Sequence, residues 1–293
     1  MVDSDFQENH SRIEKFVSDV DQAYDAIALL RANATDMPDE ILRSYLAALA
    51  REYGVSVVFE LPKALQVVRA IRLHDKAWPQ LENHLGYPPP AKTRLGRCNL
   101  PAQPLLYTAL YEDTALAEIG ATRGDHCVIS TFEFPAKFRF VTIGQFDLYR
   151  RTGEVNSDAK TSTTLGIYEQ IMALPTAELS ALFDAFLADE FLRPSKGTAD
   201  YKISSIFSDV LLKDDLKPSK PIDAIMYPSV EFRHGLNIAV RSDSYESQVK
   251  LVKAKVVEIK EALGFGLFRY RKLASFKGVP IDKKIVWHAE PKV

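Results

Sequence analysis

The chain has 293 residues, 46% apolar and 26% charged, a mixture that buries a full core and excludes a disordered chain or a fibrous repeat. No uncharged apolar run approaches the roughly twenty residues of a membrane span, and the net charge of −2 carries no global signature of nucleic-acid binding. Two cysteines, Cys98 and Cys127, are too few for a disulfide framework or a four-thiolate zinc site. The opening MVDSDFQENH is acidic and polar, unlike a signal peptide, so a cytoplasmic protein is expected. Charge is nevertheless uneven. Residues 1–60 hold twelve acids against five bases, and residues 245–293 hold eleven bases against five acids. Either the two ends pack together and neutralise, or are solvated, or they form a partner surface; composition leaves these open.

Ile13, Phe16, Val17, Val20, Tyr24 and Ile27 recur at three- and four-residue steps and predict one face of a helix. Asp36-Met37-Pro38-Asp39 suits the start of a second helix, with Ile41, Leu42, Tyr45, Leu46 and Leu49 as its apolar face and Gly54 as its C-terminal cap. From Val55 the segments shorten and become β-rich, and Pro88-Pro89-Pro90 makes a stiff, extended approach. Residues 105–110 read as a buried strand. Asp113 is a plausible cap for a helix starting at Thr114 and ending near Gly120 or Gly124. Residues 128–134 and 138–143 predict two strands separated by Pro135. Residues 178–191 and 201–212 predict helices, residues 222–226 and 236–240 short strands, and residues 249–259 a half-exposed strand. Helices and strands are interspersed without βαβ periodicity, so the class expected is α+β.

Gly264-Phe265-Gly266 lacks the third glycine of a dinucleotide fingerprint and reads as a turn. No phosphate-binding P-loop or serine nucleophile elbow occurs, and six scattered histidines, His126 and His234 among them, give no metal set. The segment 94–118 is more informative. A glycine-flanked Arg97 lies ten residues before Tyr107 on a strand, which lies eleven before Glu118 on a short, otherwise apolar helix. A carboxylate on such a helix requires a cationic or hydrogen-bonding partner or is costly to desolvate. Arg97 and Tyr107 are candidates for that role, and on spacing alone a purely structural Arg97–Glu118 pair is the favoured reading.

The succession Gly96-Arg97-Cys98-Asn99, Leu106-Tyr107-Thr108-Ala109 and Thr114-Ala115-Leu116-Ala117-Glu118 resembles the RES domain, a family named for its arginine, glutamate and serine. Downstream, Tyr227-Pro228-Ser229, Gly235-Leu236-Asn237 and Ile238-Ala239-Val240 match the family's serine block, and Tyr201-Lys202-Ile203-Ser204-Ser205 resembles its helix-opening tyrosine. The family's upstream arginine falls on Arg69, with Arg72 as rival. Cys98, where a large apolar or aromatic residue is common, departs from the pattern and reads as packing. The resemblance covers residues 61–242, leaving 1–60 as a helical extension and 243–293 as a basic one.

The resemblance implies an α+β, ADP-ribosyltransferase-like β core with flanking helices. It implies an enzyme that takes NAD as substrate and needs no cofactor, cleaves the nicotinamide–ribose bond and acts as a toxin paired with an Xre-type antitoxin. The ADP-ribose acceptor is then inorganic phosphate, water (NAD phosphorylase or glycohydrolase) or, in the alternative, a protein (ADP-ribosyltransferase). Cleavage leaves an electron-poor ribose carbon that an anion stabilises, a role for Glu118. Arg97 and Arg69 suit a pyrophosphate or an attacking phosphate. Tyr107 offers a stacking ring and a hydroxyl for Glu118 or the ribose, Ser229 a short donor, and Tyr201 a further substrate contact. A homo-oligomer is expected, without membrane contact. Nucleic-acid binding by the Lys250–Lys260 and Arg269–Lys272 clusters, in a non-catalytic module, is the less favoured class.

Overall fold

The structure is a computed structural model and describes residues 20–53, 58–155, 162–194, 198–213, 221–232, 235–264, 266–277 and 282–291. Ile13, Phe16, Val17, Gly54, His234 and Phe265 lie outside these residues. The chain opens with two helices, α1 (Val20–Asn33) and α2 (Asp39–Glu52), the second entered through Pro38 as expected. The α1 stripe differs from the sequence expectation. Ala23 and Leu30 are buried one heptad apart, whereas Tyr24 is turned outward and 58% exposed. Leu42, Tyr45, Leu46 and Leu49 form the buried face of α2 as expected.

Ten strands follow: β1 (Val58–Glu60), β2 (Leu65–Arg72), β3 (Leu105–Ala109), β4 (His126–Phe134), β5 (Arg139–Thr142), β6 (Ala224–Pro228), β7 (Leu236–Arg241), β8 (Lys250–Ala262), β9 (Phe268–Lys277) and β10 (His288–Ala289). Six helices lie among them: α3 (Glu112–Glu118), α4 (Gln145–Thr152), α5 (Ser162–Met172), α6 (Ala177–Leu192), α7 (Lys202–Leu212) and α8 (Ser242–Gln248). The strands form one mixed sheet in the order β1-β5-β6-β7-β3-β2-β4-β8-β9-β10, with β5–β6 parallel and the other pairs antiparallel. The protein is thus α+β with an N-terminal helical region. Among the described residues no helix is long and apolar enough to cross a membrane.

Three further differences have simple causes. Helix α3 begins at Glu112 rather than Thr114, and Asp113 makes no capping bond because it already lies in the first turn. Helices α4, α5 and α8 and strands β9 and β10 have no counterpart in the sequence expectation; α4 is strongly polar, and the tertiary carboxylate of Asp184 secures its start by accepting from Gly144 N at 2.8 Å and Asp147 N at 2.9 Å. The basic segment also continues the sheet: β8 pairs with β4 from His126↔Glu258 to Glu133↔Lys250. Its cations pair with nearby acids, Lys255 with Glu112, Arg271 with Glu258 and Lys272 with Glu290.

One core cluster joins α1 and α2 to α6, α7 and the inner strands through Leu30, Leu46, Phe183, Phe207 and Ile225. A second fills the other side of the sheet around Leu106, Phe132, Ile238 and Val240. A third packs α3 on β2, β4 and β8 through Val68, Ala115, Leu116 and Ile129. Strand alternation explains the division: Leu106 and Tyr107, neighbours on β3, belong to opposite sides.

Candidate active site

A cavity of about 570 Å³ opens between the first and third of these clusters. Tyr107 and Tyr227 border it from one, and Val68, Ala70 and Ala115 from the other. The sheet is loosely joined here. Strands β2 and β3 pair only at Val68↔Ala109, whereas β2 and β4 pair from Leu65↔Phe134 to Arg72↔Cys127.

Glu118, the last residue of α3, projects into this cavity and is exposed there, so it does not bear the desolvation expected of a carboxylate on an apolar helix. Its partner is neither Arg97 nor the Tyr107 hydroxyl. Ser229 Oγ and Asn237 Nδ2 both donate to Glu118 Oε1, each at 2.6 Å. Ser229 is itself fixed, its Oγ accepting from Phe232 N at 3.0 Å and its N–H donating to Gly235 O at 2.9 Å. Gly235 is needed because a Cβ there would lie 2.6 Å from the Thr114 side chain. Without that side chain, β7 approaches α3 closely enough for Asn237 to reach the carboxylate. Among the described residues Oε2 has no donor, so the arrangement fixes one oxygen and leaves the other able to accept a hydrogen bond. Arg72 secures the end of α3 by donating to the carbonyls of Ile119 and Gly120, and pairs with Asp125 at 3.1 Å.

Tyr107 is held away from Glu118. Its hydroxyl donates to Asn99 Oδ1 at 2.7 Å and accepts from Cys98 N at 3.0 Å, so the tyrosine braces the loop before β3. Burial holds its phenol, and that of Tyr227, well above the usual range, which keeps both protonated. Asn99 completes the loop by donating to Arg94 O and Leu100 O. Gly96 is required there, since a Cβ would stand 2.5 Å from Asn99 Oδ1. Cys98 is buried and its thiol is pushed up to about 12 by burial, in keeping with packing and not with a nucleophile.

Arg97 borders the cavity opposite the α3 wall. Its Nη1 donates to Phe191 O at 2.5 Å, its Nη2 to Arg193 O at 3.1 Å, and its guanidinium lies 4.9 Å from the centre of the Tyr201 ring. The carbonyls at the end of α6 attract a cation, and stacking holds the fork flat. Two of the roughly five N–H donors of a guanidinium are thereby used. Arg69 also borders the cavity, from the loosened junction of β2 and β3, but its neighbours Val68 and Ala70 face α3 and it alternates with them. Its Nη1 donates to Leu85 O at 2.7 Å and Gly86 O at 2.5 Å. Burial lowers its guanidinium to about 10, which leaves it charged at neutral pH. Arg72 does not border the cavity.

Arg69, Arg97, Tyr107, Glu118 and Tyr201 therefore surround one cavity, and Ser229 stands directly behind Glu118. Sequence reasoning did not single out Asn99 and Asn237, although each closes a motif block already noted, Gly96–Asn99 and Gly235–Asn237. Their function depends on which loop faces which helix, and no residue pattern encodes that. A protein-family model described as the RES domain matches residues 67–256, well over half of the chain. No curated protein and no solved structure matches it.

Proposed function

The chain belongs to the RES domain family, generally NAD-utilising toxin-like enzymes, and from that premise we propose that it degrades NAD by breaking the nicotinamide–ribose bond. The observation that carries this reading is Glu118: a carboxylate open to the cavity, with one oxygen held by two donors and the other without a donor among the described residues. As the bond to nicotinamide lengthens, its electron pair leaves with the nicotinamide and positive charge develops at C1′ and the ring oxygen. Glu118 Oε2 accepts from a ribose hydroxyl and stabilises that charge. Ser229 and Asn237 keep the carboxylate from rotating away. Arg97, with its remaining donors, and Arg69 engage the pyrophosphate. The ring of Tyr107 borders the same space as a stacking surface, while its hydroxyl serves the Arg97 loop. The acceptor, inorganic phosphate or water, adds its oxygen to C1′ and gives up a proton. A toxin of this kind, held in check by an Xre-type antitoxin, is the biological role this chemistry suits.

Purified protein incubated with NAD, with and without phosphate, tests the reading when products are identified by mass. Nicotinamide with ADP-ribose or its 1″-phosphate is the expected result, and Glu118→Gln is expected to abolish it. NAD left intact by the wild type refutes the reading. Label from NAD retained on a macromolecule redirects it to ADP-ribosyl transfer.

A further inference from the structure

Helices α1 and α2 lie outside residues 67–256, yet they grip both elements that hold Arg97. We propose that Arg31 of α1 and the turn between α1 and α2 are positioning elements for Arg97, so that the N-terminal helices are a working part of the substrate site. The kinetic part of this proposal rests on the NAD reading above; the geometric part does not.

The acceptors of Arg97 are Phe191 O and Arg193 O at the end of α6. Immediately before Phe191 lies Glu190, with a side chain only 1% exposed. Arg31 Nε donates to Glu190 Oε1 at 2.7 Å, Arg31 Nη2 reaches Asp189 at 2.9 Å, and its guanidinium lies 5.2 Å from the centre of the Phe186 ring. The second oxygen of Glu190 faces Arg193 Nη1 at 3.3 Å. On the other side of Arg97, the stacking residue Tyr201 is followed directly by Lys202. Lys202 Nζ donates to Thr35 O at 3.0 Å and Met37 O at 2.5 Å, and lies 3.3 Å from Asp39. The carbonyl cradle of Arg97 and its stacking ring are thus each anchored, one residue away in sequence, to the same N-terminal hairpin.

Physical coupling follows from burial. A carboxylate as enclosed as Glu190 needs its cations, because an unpaired buried charge is strongly disfavoured. Without Arg31 it depends on Arg193 alone. Arg193 also supplies a carbonyl to Arg97, so a shift of its backbone toward Glu190 moves that acceptor. Phe186 and Phe191 share the core with Leu30 and Ala34, which passes movement of α1 directly to the end of α6.

The test compares wild type with Arg31→Ala, Arg31→Lys and Lys202→Met. Steady-state NAD consumption, binding of ADP-ribose and labelling of Arg97 by phenylglyoxal, read by peptide mass spectrometry, are measured for each. Arg31→Ala is expected to raise KM and the ADP-ribose Kd about tenfold, with kcat within about twofold, the scale at which one link in a packed network acts. Arg97 is expected to label faster, and Arg31→Lys to restore part of each effect. Folded Arg31→Ala with unchanged KM and unchanged labelling overturns the proposal. If Arg31→Ala does not fold, Lys202→Met decides by the same readouts, unchanged values again overturning it. A wild type that neither consumes NAD nor binds ADP-ribose defeats the NAD reading, and faster labelling of Arg97 in the variants still supports the positioning role.

Discussion

Replacing Asn237 by alanine removes one of the two donors that fix Glu118 while leaving the carboxylate in place. The Nδ2–Oε1 distance of 2.6 Å marks a charge-assisted bond, a type worth about 1.5–3 kcal/mol. Glu118 is open to the cavity, so solvent replaces part of what is lost and the lower end applies. About 1.5 kcal/mol corresponds to roughly a tenfold fall in kcat/KM for NAD consumption. Ser229→Ala removes the partner bond of equal length and is expected to cost about the same. The double variant is expected near a hundredfold loss, since neither donor then opposes rotation of the carboxylate. The assay is the initial rate of nicotinamide release over a range of NAD concentrations, with folding checked by circular dichroism. If the double variant works within twofold of wild type while Glu118→Gln is inactive, orientation of Glu118 by these residues is refuted.

Three further outcomes are expected. Asp184→Asn substitutes an NH₂ group for one acceptor at the start of α4 and is expected to cost about 1–3 kcal/mol in urea unfolding at neutral pH. Burial raises the Asp184 carboxyl to about 6 from its ordinary 3.8; the folded state therefore binds the extra proton, and wild-type stability falls as pH rises across that interval. Persistence of that slope in Asp184→Asn denaturation midpoints between pH 4 and 7 contradicts the assignment. Arg69→Gln is expected to lose most of the Tm increase that ADP-ribose produces in wild type, because a buried cation with no carboxylate partner among the described residues is the group an anionic ligand satisfies; an undiminished shift removes Arg69 from the site. Leu46→Ala, at a fully buried position in the core shared by α1, α2, α6 and α7, is expected to destabilise by about 2–5 kcal/mol in urea titrations; a loss below about 1 kcal/mol contradicts a common core.

Local pattern alone determined much of this protein. The stripe of Leu42, Leu46 and Leu49, the apolar run 105–110 and the helix 178–191 are legible in local apolar patterning, which needs no knowledge of distant neighbours, and the structure places them to within a residue at each end. The motif blocks likewise marked Arg97, Tyr107, Glu118 and Ser229, and the structure gathers the first three around one cavity with Ser229 bonded behind Glu118, although 132 positions separate the first from the last. Only the tertiary structure decided their pairings. It turned the Tyr107 hydroxyl to Asn99, gave Arg97 to the carbonyls of α6, and handed Glu118 to Ser229 and Asn237. It also separated Arg69 from Arg72, which strand alternation sends to opposite sides of β2, and drew the basic tail into the sheet through β8. Periodicity records which way a side chain points relative to its own backbone. Hydrogen-bond partners depend on which strands become neighbours, and that choice is made by the burial of the whole core.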